Sequence, residues 1–254
     1  MFDNNNNRDW DTGMQGQNRI VLEEHSGEFE ARSALYLAKV MGWMCVGLLT
    51  TVVAAMAVLS IEGLQIMIFN AGPGIMLIFI AQFALVIALS AGIGRMSPAT
   101  ATVMFMAYSA LTGFTLSVLV FVSDMGSLVL AFATTTCVFL VMSVYGFVTK
   151  KDLTQIGRLA FFGLIGIIIA GIVNLFLGSS MMDFGITVIG VVVFIGLIAY
   201  DTQNIKGLYQ NAIMRGHDEY SDEVRKLAII GALKLYLDFI NLFIMLLRLL
   251  SRRR

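Results

Sequence analysis

Asp201 and Asp238 are carboxylates placed inside two of the most apolar stretches of the sequence, Gly185 to Gly207 and Ala228 to Leu250. An ionised carboxylate near the centre of a bilayer costs at least a few kcal/mol, so each needs a partner, water or a proton. Two carboxyls at hydrogen-bonding distance cannot both ionise cheaply, so they share a proton and titrate as a unit. Deprotonated, such a pair offers hard oxygen ligands suited to calcium. Protonated, it loses the charge that holds a cation and closes a hydrogen-bonded bridge. The residues therefore point to a pH-sensitive cation site, with calcium as the transported ion and no resident cofactor or catalytic group. A competing arrangement is an ion pair within the last helix, because Lys234 stands one turn before Asp238. It would leave Asp201 to the lipid headgroups. Arg95 ends the second apolar stretch at the level of Asp201, where it either neutralises that carboxylate or anchors the helix. Arg248, ten residues beyond Asp238, reads as a snorkelling side chain.

The elements that must position these side chains are membrane helices. Of 254 residues, 58% are hydrophobic and 13% charged, too little polar surface to coat a water-soluble globule. A bilayer core of about 30 Å needs about 20 apolar residues of helix. Seven such stretches occur: Tyr36 to Ser60, Gly74 to Gly94, Thr100 to Val122, Leu128 to Val148, Leu159 to Leu177, Gly185 to Gly207 and Ala228 to Leu250. Backbone groups in hydrocarbon must bond within their own segment, so the fold class is all-α, a polytopic membrane protein. The domain reading is a polar, disordered cytoplasmic tail over 1–35, a seven-helix transmembrane domain over 36–250 and a basic tail over 251–254. Met1 to Arg32 lacks the apolar core of a signal peptide. Short connections make the first six spans three hairpins around a central seventh helix, preceded by the longest polar loop, Leu208 to Lys226.

Lys and Arg fix an orientation. Arg32, Lys39, Arg95, Lys150, Lys151, Arg158, Lys206, Arg215, Arg225 and Lys226 fall at one end of the spans, while the opposite connections carry only Glu62, Asp124 and Asp183. The basic end, with the N-terminus, is expected to be cytoplasmic. A full seventh crossing places Arg252, Arg253 and Arg254 outside, against that rule, yet its length favours crossing over re-entry. Net charge is zero, so no nucleic-acid partner is indicated, and the expected partners are the lipid bilayer, calcium ions and protons. Cys45 and Cys137 lie in apolar runs as small hydrophobes. Ser109, Gly113 and Ser117 on the third span, and Gly163, Gly166 and Ala170 on the fifth, are spaced for close helix packing.

Four segments carry a family resemblance. Ala199-Tyr200-Asp201-Thr202-Gln203-Asn204-Ile205 resembles the sixth-span signature of the Bax inhibitor-1 (transmembrane Bax inhibitor motif) family. Gly113-Phe114-Thr115-Leu116-Ser117 resembles its third-span motif, Thr149-Lys150-Lys151-Asp152-Leu153-Thr154 its fourth-to-fifth loop, and Leu235-Tyr236-Leu237-Asp238-Phe239-Ile240-Asn241-Leu242-Phe243 its last helix. The resemblance runs from about Tyr36 to Leu250. It implies three helix pairs around a central seventh helix, a calcium leak regulated by pH, Asp201 and Asp238 as the pH-sensing pair, and Arg95 as a latch partner for Asp201. The compact form without organellar targeting suggests a bacterial plasma (inner) membrane as the setting. The chain departs from the pattern in having no acidic residue in its second span, only Gln82, so a latch between an acid there and Arg248 is not available.

Two other classes compete. A non-conducting membrane scaffold predicts no ion flux from the purified protein. An intramembrane aspartyl protease would use two aspartates sharing a proton to activate water. Such enzymes are expected to carry Gly-x-Gly-Asp on the second helix, where this chain has Leu235-Tyr236-Leu237-Asp238. The reading is therefore not an enzyme. Oligomeric state is left open.

Overall fold

The computed structural model describes residues 6–70 and 74–251, with side chains from Gly27 onward except those of 67, 69 and 74–76. Eight α-helices follow in order: α1 (Asn6–Ser60), α2 (Glu62–Phe69), α3 (Gly74–Gly92), α4 (Pro98–Val122), α5 (Met125–Val148), α6 (Thr154–Leu177), α7 (Ser180–Met214) and α8 (Asp222–Ser251). A 3-10 turn, Ile93–Arg95, closes α3. Among the described residues there is no strand, and seven helices, all but the short α2, are long and apolar enough to cross a membrane.

Local chemistry sets the helix ends. Ser97 accepts from the Thr100 N–H with Pro98 in the first turn, Asp124 accepts from Ser127, and Ser179 from Met182, each satisfying a donor that the helix itself cannot. The α6 helix stops at Gly178, whose φ of 62° is the left-handed conformation that glycine adopts without a Cβ penalty.

Two boundaries differ from the sequence reading. The segment read as a tail over 1–35 is helical from Asn6, and its C-terminal part belongs to the bundle. Ser33 is buried with its hydroxyl on the Phe29 carbonyl, Arg32 reaches Glu28 at 2.7 Å, and Lys206 lies 3.4 Å from Glu30. Residues 1–5 and 252–254, the extremes of the two tails, lie outside the described residues. The loop expected over Leu208 to Lys226 is mostly helix, because α7 runs to Met214 and α8 starts at Asp222. Tyr209 is buried there, stacked on Tyr36 at 4.3 Å, and its hydroxyl donates to Glu219. A polar stretch thus hides one apolar face, which a hydropathy reading averages away.

The last helix is central. More than half of its span (56%) is buried, against 6% for α3 and for α6, and it packs on α7, α1, α5 and α4. Of the three hairpins that connectivity makes, α6 and α7 pack as a pair, while α1 and α3 both lie mainly on α4 and α7 also packs on α5. The outer faces expose Phe161, Phe162, Ile168 and Leu175, an apolar surface suited to lipid rather than water. Arg248, near the end of α8, lies 3.6 Å from Asp183 at the start of α7. That end is opposite the one holding Lys206 and Glu30, so the seventh span crosses the bundle rather than re-entering.

Small residues permit the closest contacts. A Cβ on Gly113 would collide with the Thr51 carbonyl, and one on Gly146 with the Ala199 carbonyl, so backbone meets backbone at α4/α1 and at α5/α7. The third-span stripe therefore packs as read. On the fifth span Gly163 meets Val193, but Gly166 faces open space. The Gly146→Val variant should lower stability by about 1–3 kcal/mol, the usual cost of overpacking, seen as a lower Tm in detergent. An unchanged Tm would show that α5 and α7 do not meet there.

Candidate functional site

The site lies where α7 and α8 run antiparallel through the middle of the bundle. At 1.5 Å per residue, the 35 residues of α7 extend about 52 Å, well beyond a hydrocarbon core of about 30 Å. Its polar end therefore projects past the basic face, and Asp201, five residues before Lys206, sits about 7 Å within it. Asp238 is 5% exposed and the Asp201 side chain 13%, so both carboxyls are withdrawn from bulk solvent. The two carboxyl groups are neighbours across the α7/α8 interface, close enough for each to feel the other's charge. Lys234 Nζ stands 3.6 Å from Asp201 Oδ1. Asp238 Oδ2 is enclosed and has no hydrogen-bond partner among the described residues.

This arrangement decides against the competing intrahelical pair. Lys234 pairs across the helix interface with Asp201 and not within its own helix with Asp238, so Asp201 is not left to the headgroups. Helical spacing allowed the i to i+4 pair, but the antiparallel neighbour presents its carboxylate to the same lysine. Arg95 is exposed in the 3-10 turn after α3, and the ion pair recorded at Asp201 is the one with Lys234. Arg248 does more than snorkel, since it meets Asp183 at the far end.

Several neighbours hold the pair in place. Thr51 Oγ1 lies 3.0 Å from the carbonyls of Gly47 and Ser109, which can only accept, so its single proton goes to one of them. The Tyr236 hydroxyl, 2.6 Å away, then donates to Thr51. Tyr236 is fully buried, with Phe105 and Tyr108 packed edge-on against it. It fixes the rotation of α8 two residues before Asp238. Nothing but its place in an apolar run marks that role in the sequence. On the far side of Asp238 a cavity of about 380 Å³ is lined by Asn241, Gln82, Thr112, Thr115 and Arg248 among others, and Gln82 donates to Thr115 at 3.1 Å.

Gln203, two residues after Asp201, ties α7 to the α5–α6 connection. Its amide nitrogen donates to the Lys151 carbonyl and its oxygen accepts from the N–H of Leu153, both at 2.9 Å. Leu153 is buried, so the Gln203→Leu variant would strand a donor at a cost of about 1–3 kcal/mol, read as a loss of thermal stability. Wild-type stability would show that water replaces the amide. In the same connection the hydroxyl and backbone N–H of Thr154 hold the Asp152 carboxyl below its ordinary range. Such a group adds stability above its unfolded value and loses it only as pH falls through the lower folded one. The connection is therefore expected to keep its stability as pH falls from neutrality to about 5.

These features define a class: an all-helical, multi-pass membrane protein with a buried acid pair on its last two helices. The family model described as "Inhibitor of apoptosis-promoting Bax1" matches residues 33–254, and the chain belongs to this Bax inhibitor-1 family. It is 44% identical over 219 residues to "Inner membrane protein YbhL" of Escherichia coli (strain K12), covering 86% of this chain and 92% of that protein. A Borreliella burgdorferi protein gives the same identity and coverage, and a Rickettsia prowazekii protein is also 44% identical, covering 86% of this chain and 90% of its own length. With its seven apolar helices, the chain is a multi-pass inner membrane protein.

Proposed function

We propose that this protein is a pH-sensitive calcium leak channel in which Asp201 and Asp238 bind the passing ion and sense protons. One observation carries the reading: of two neighbouring carboxyls withdrawn from solvent, Asp201 takes the one lysine at 3.6 Å and Asp238 Oδ2 is left without a partner among the described residues. With both ionised, the cluster holds an excess negative charge in a low-dielectric setting, which either a proton or a cation can neutralise. Proton and calcium thus compete for one position. Among the described residues no third acid, His or Cys joins the pair. Two carboxylates fall short of the 6–8 oxygen ligands of a tight calcium site, so the remainder come from water and neutral groups and binding is weak enough for release. Asn241 and Gln82 offer such neutral oxygens in the cavity beyond Asp238.

In this account the basic end, and with it the N-terminus, faces the cytoplasm, following the distribution of Lys and Arg. Lys234 holds Asp201 in the protonated, bridged state, and Arg95, at the same end, is the alternative partner when the carboxyls separate. The test is calcium-indicator flux in proteoliposomes containing only this protein. Flux should rise between about pH 5 and 8 as the shared proton leaves. Absence of flux at every pH would overturn the reading and leave a non-conducting scaffold.

A further inference from the structure

Between α1 and α5, which pack mainly on other helices, a groove runs from the basic end down the lipid-facing side. Its upper part is a polar cavity of about 480 Å³ lined by Lys206, Lys150, Glu30 and Phe147, and its lower part an apolar cavity of about 200 Å³ lined by Leu37, Met41, Val144 and Ser143. Phe147 lines both, so the two cavities adjoin at that side chain. We propose that this groove binds a phospholipid with a phosphoethanolamine headgroup.

The charges fit the two ends of that headgroup. Lys206 is largely enclosed, its side chain 16% exposed, with Nζ 4.4 Å from the Phe147 ring centroid. Glu30, 3.4 Å away, is 70% exposed and can swing aside. A phosphate entering between them takes Lys206 and Lys150, and the ammonium that follows takes Glu30, so each ion regains an opposite charge. An anionic headgroup without the ammonium would face Glu30 unpaired, and a quaternary one could not donate hydrogen bonds to it.

Ser143 supplies an independent pointer. It is fully buried on α5, lines the apolar cavity, and its hydroxyl has no hydrogen-bond partner among the described residues. Serines in helices ordinarily bond the carbonyl four residues back, as Ser109 does here to Phe105. An orphaned buried hydroxyl calls for a partner. Ser143 lies one turn, about 6 Å, below Phe147, where the glycerol ester carbonyls fall once the phosphate is held at Lys206. The acyl chain then follows Leu37 and Met41.

The test reconstitutes the full chain in vesicles of equal parts phosphatidylethanolamine, phosphatidylglycerol and phosphatidylcholine with identical acyl chains. Lipid retained after mild detergent extraction is then quantified by mass spectrometry. Phosphatidylethanolamine should be enriched about fivefold over the other two, the value of one solvent-exposed ion pair. Glu30→Gln should erase its preference over phosphatidylglycerol, Lys206→Gln should cut total retention by a similar factor, and Lys206→Arg should preserve it. Retained lipid mirroring the vesicle composition would overturn the proposal, as would a preference that survives both Glu30→Gln and Lys206→Gln. Full displacement by water-soluble glycerophosphoethanolamine at equal concentration would overturn the role of the apolar groove.

Discussion

The Asp201→Asn and Asp238→Asn variants are each expected to lose the pH response of calcium flux, because an amide cannot titrate and the pair works as one unit. In the unmodified protein the deprotonated fraction of a single proton site falls by up to about tenfold per pH unit below its midpoint, so flux should fall by up to that factor per unit on the acid side. Asp238→Asn imitates the protonated state: its NH₂ group can donate to Asp201 while Lys234 stays paired at 3.6 Å. It should fold normally and give low flux at every pH. Asp201→Asn removes the partner of Lys234 and leaves Asp238 as the lone acid. Its flux should be flat with pH, and its stability lower than that of Asp238→Asn. A full pH response in both variants would show that the sensor lies elsewhere, and cleavage of a membrane-embedded peptide, lost in both, would favour protease chemistry.

The next largest effect is expected at Lys234. Removing one partner of a buried ion pair costs about 3–5 kcal/mol because the other charge is stranded. Here the Lys234 side chain is 36% exposed against 13% for Asp201, so a smaller loss of about 1–3 kcal/mol is expected for Lys234→Met. The sharper readout is a double-mutant cycle. Lys234→Met combined with Asp201→Asn should recover much of the loss, giving a coupling energy of about 1 kcal/mol or more, whereas combination with Asp238→Asn should give little. Equal coupling to both aspartates, or coupling to Asp238 alone, would restore the intrahelical pair that the geometry disfavours.

Much of the fold was legible in the sequence because lipid imposes a strong rule. Seven long apolar runs can only be helices, and a last helix left over from three hairpins is a natural centre. The acid pair was legible for the same reason, since lipid makes Asp201 and Asp238 costly. The partner of Lys234 is not legible in the sequence, which offers Asp238 only as a competing partner, because spacing along one helix is visible there while the rotation of two helices about each other is not. That rotation depends on Tyr236 meeting Thr51, and on Gly146 letting α5 approach the Ala199 carbonyl, contacts between residues far apart in the chain. The extension of α7 to Met214 is less legible: the buried Tyr209 and Ala212 are separated by Gln210 and Asn211, which break up the apolar run.

The most direct test of the shared proton is an infrared titration of the reconstituted protein, run in parallel with calcium flux on the same preparation. A protonated carboxyl C=O band should be present on the acid side of the flux midpoint, fade across it, and be absent in Asp238→Asn. Calcium should remove the band at constant pH, since ion and proton compete for one position. A band that titrates without any change in flux, or flux that varies with pH while no carboxyl changes protonation, would contradict the assignment of Asp201 and Asp238 as the sensor.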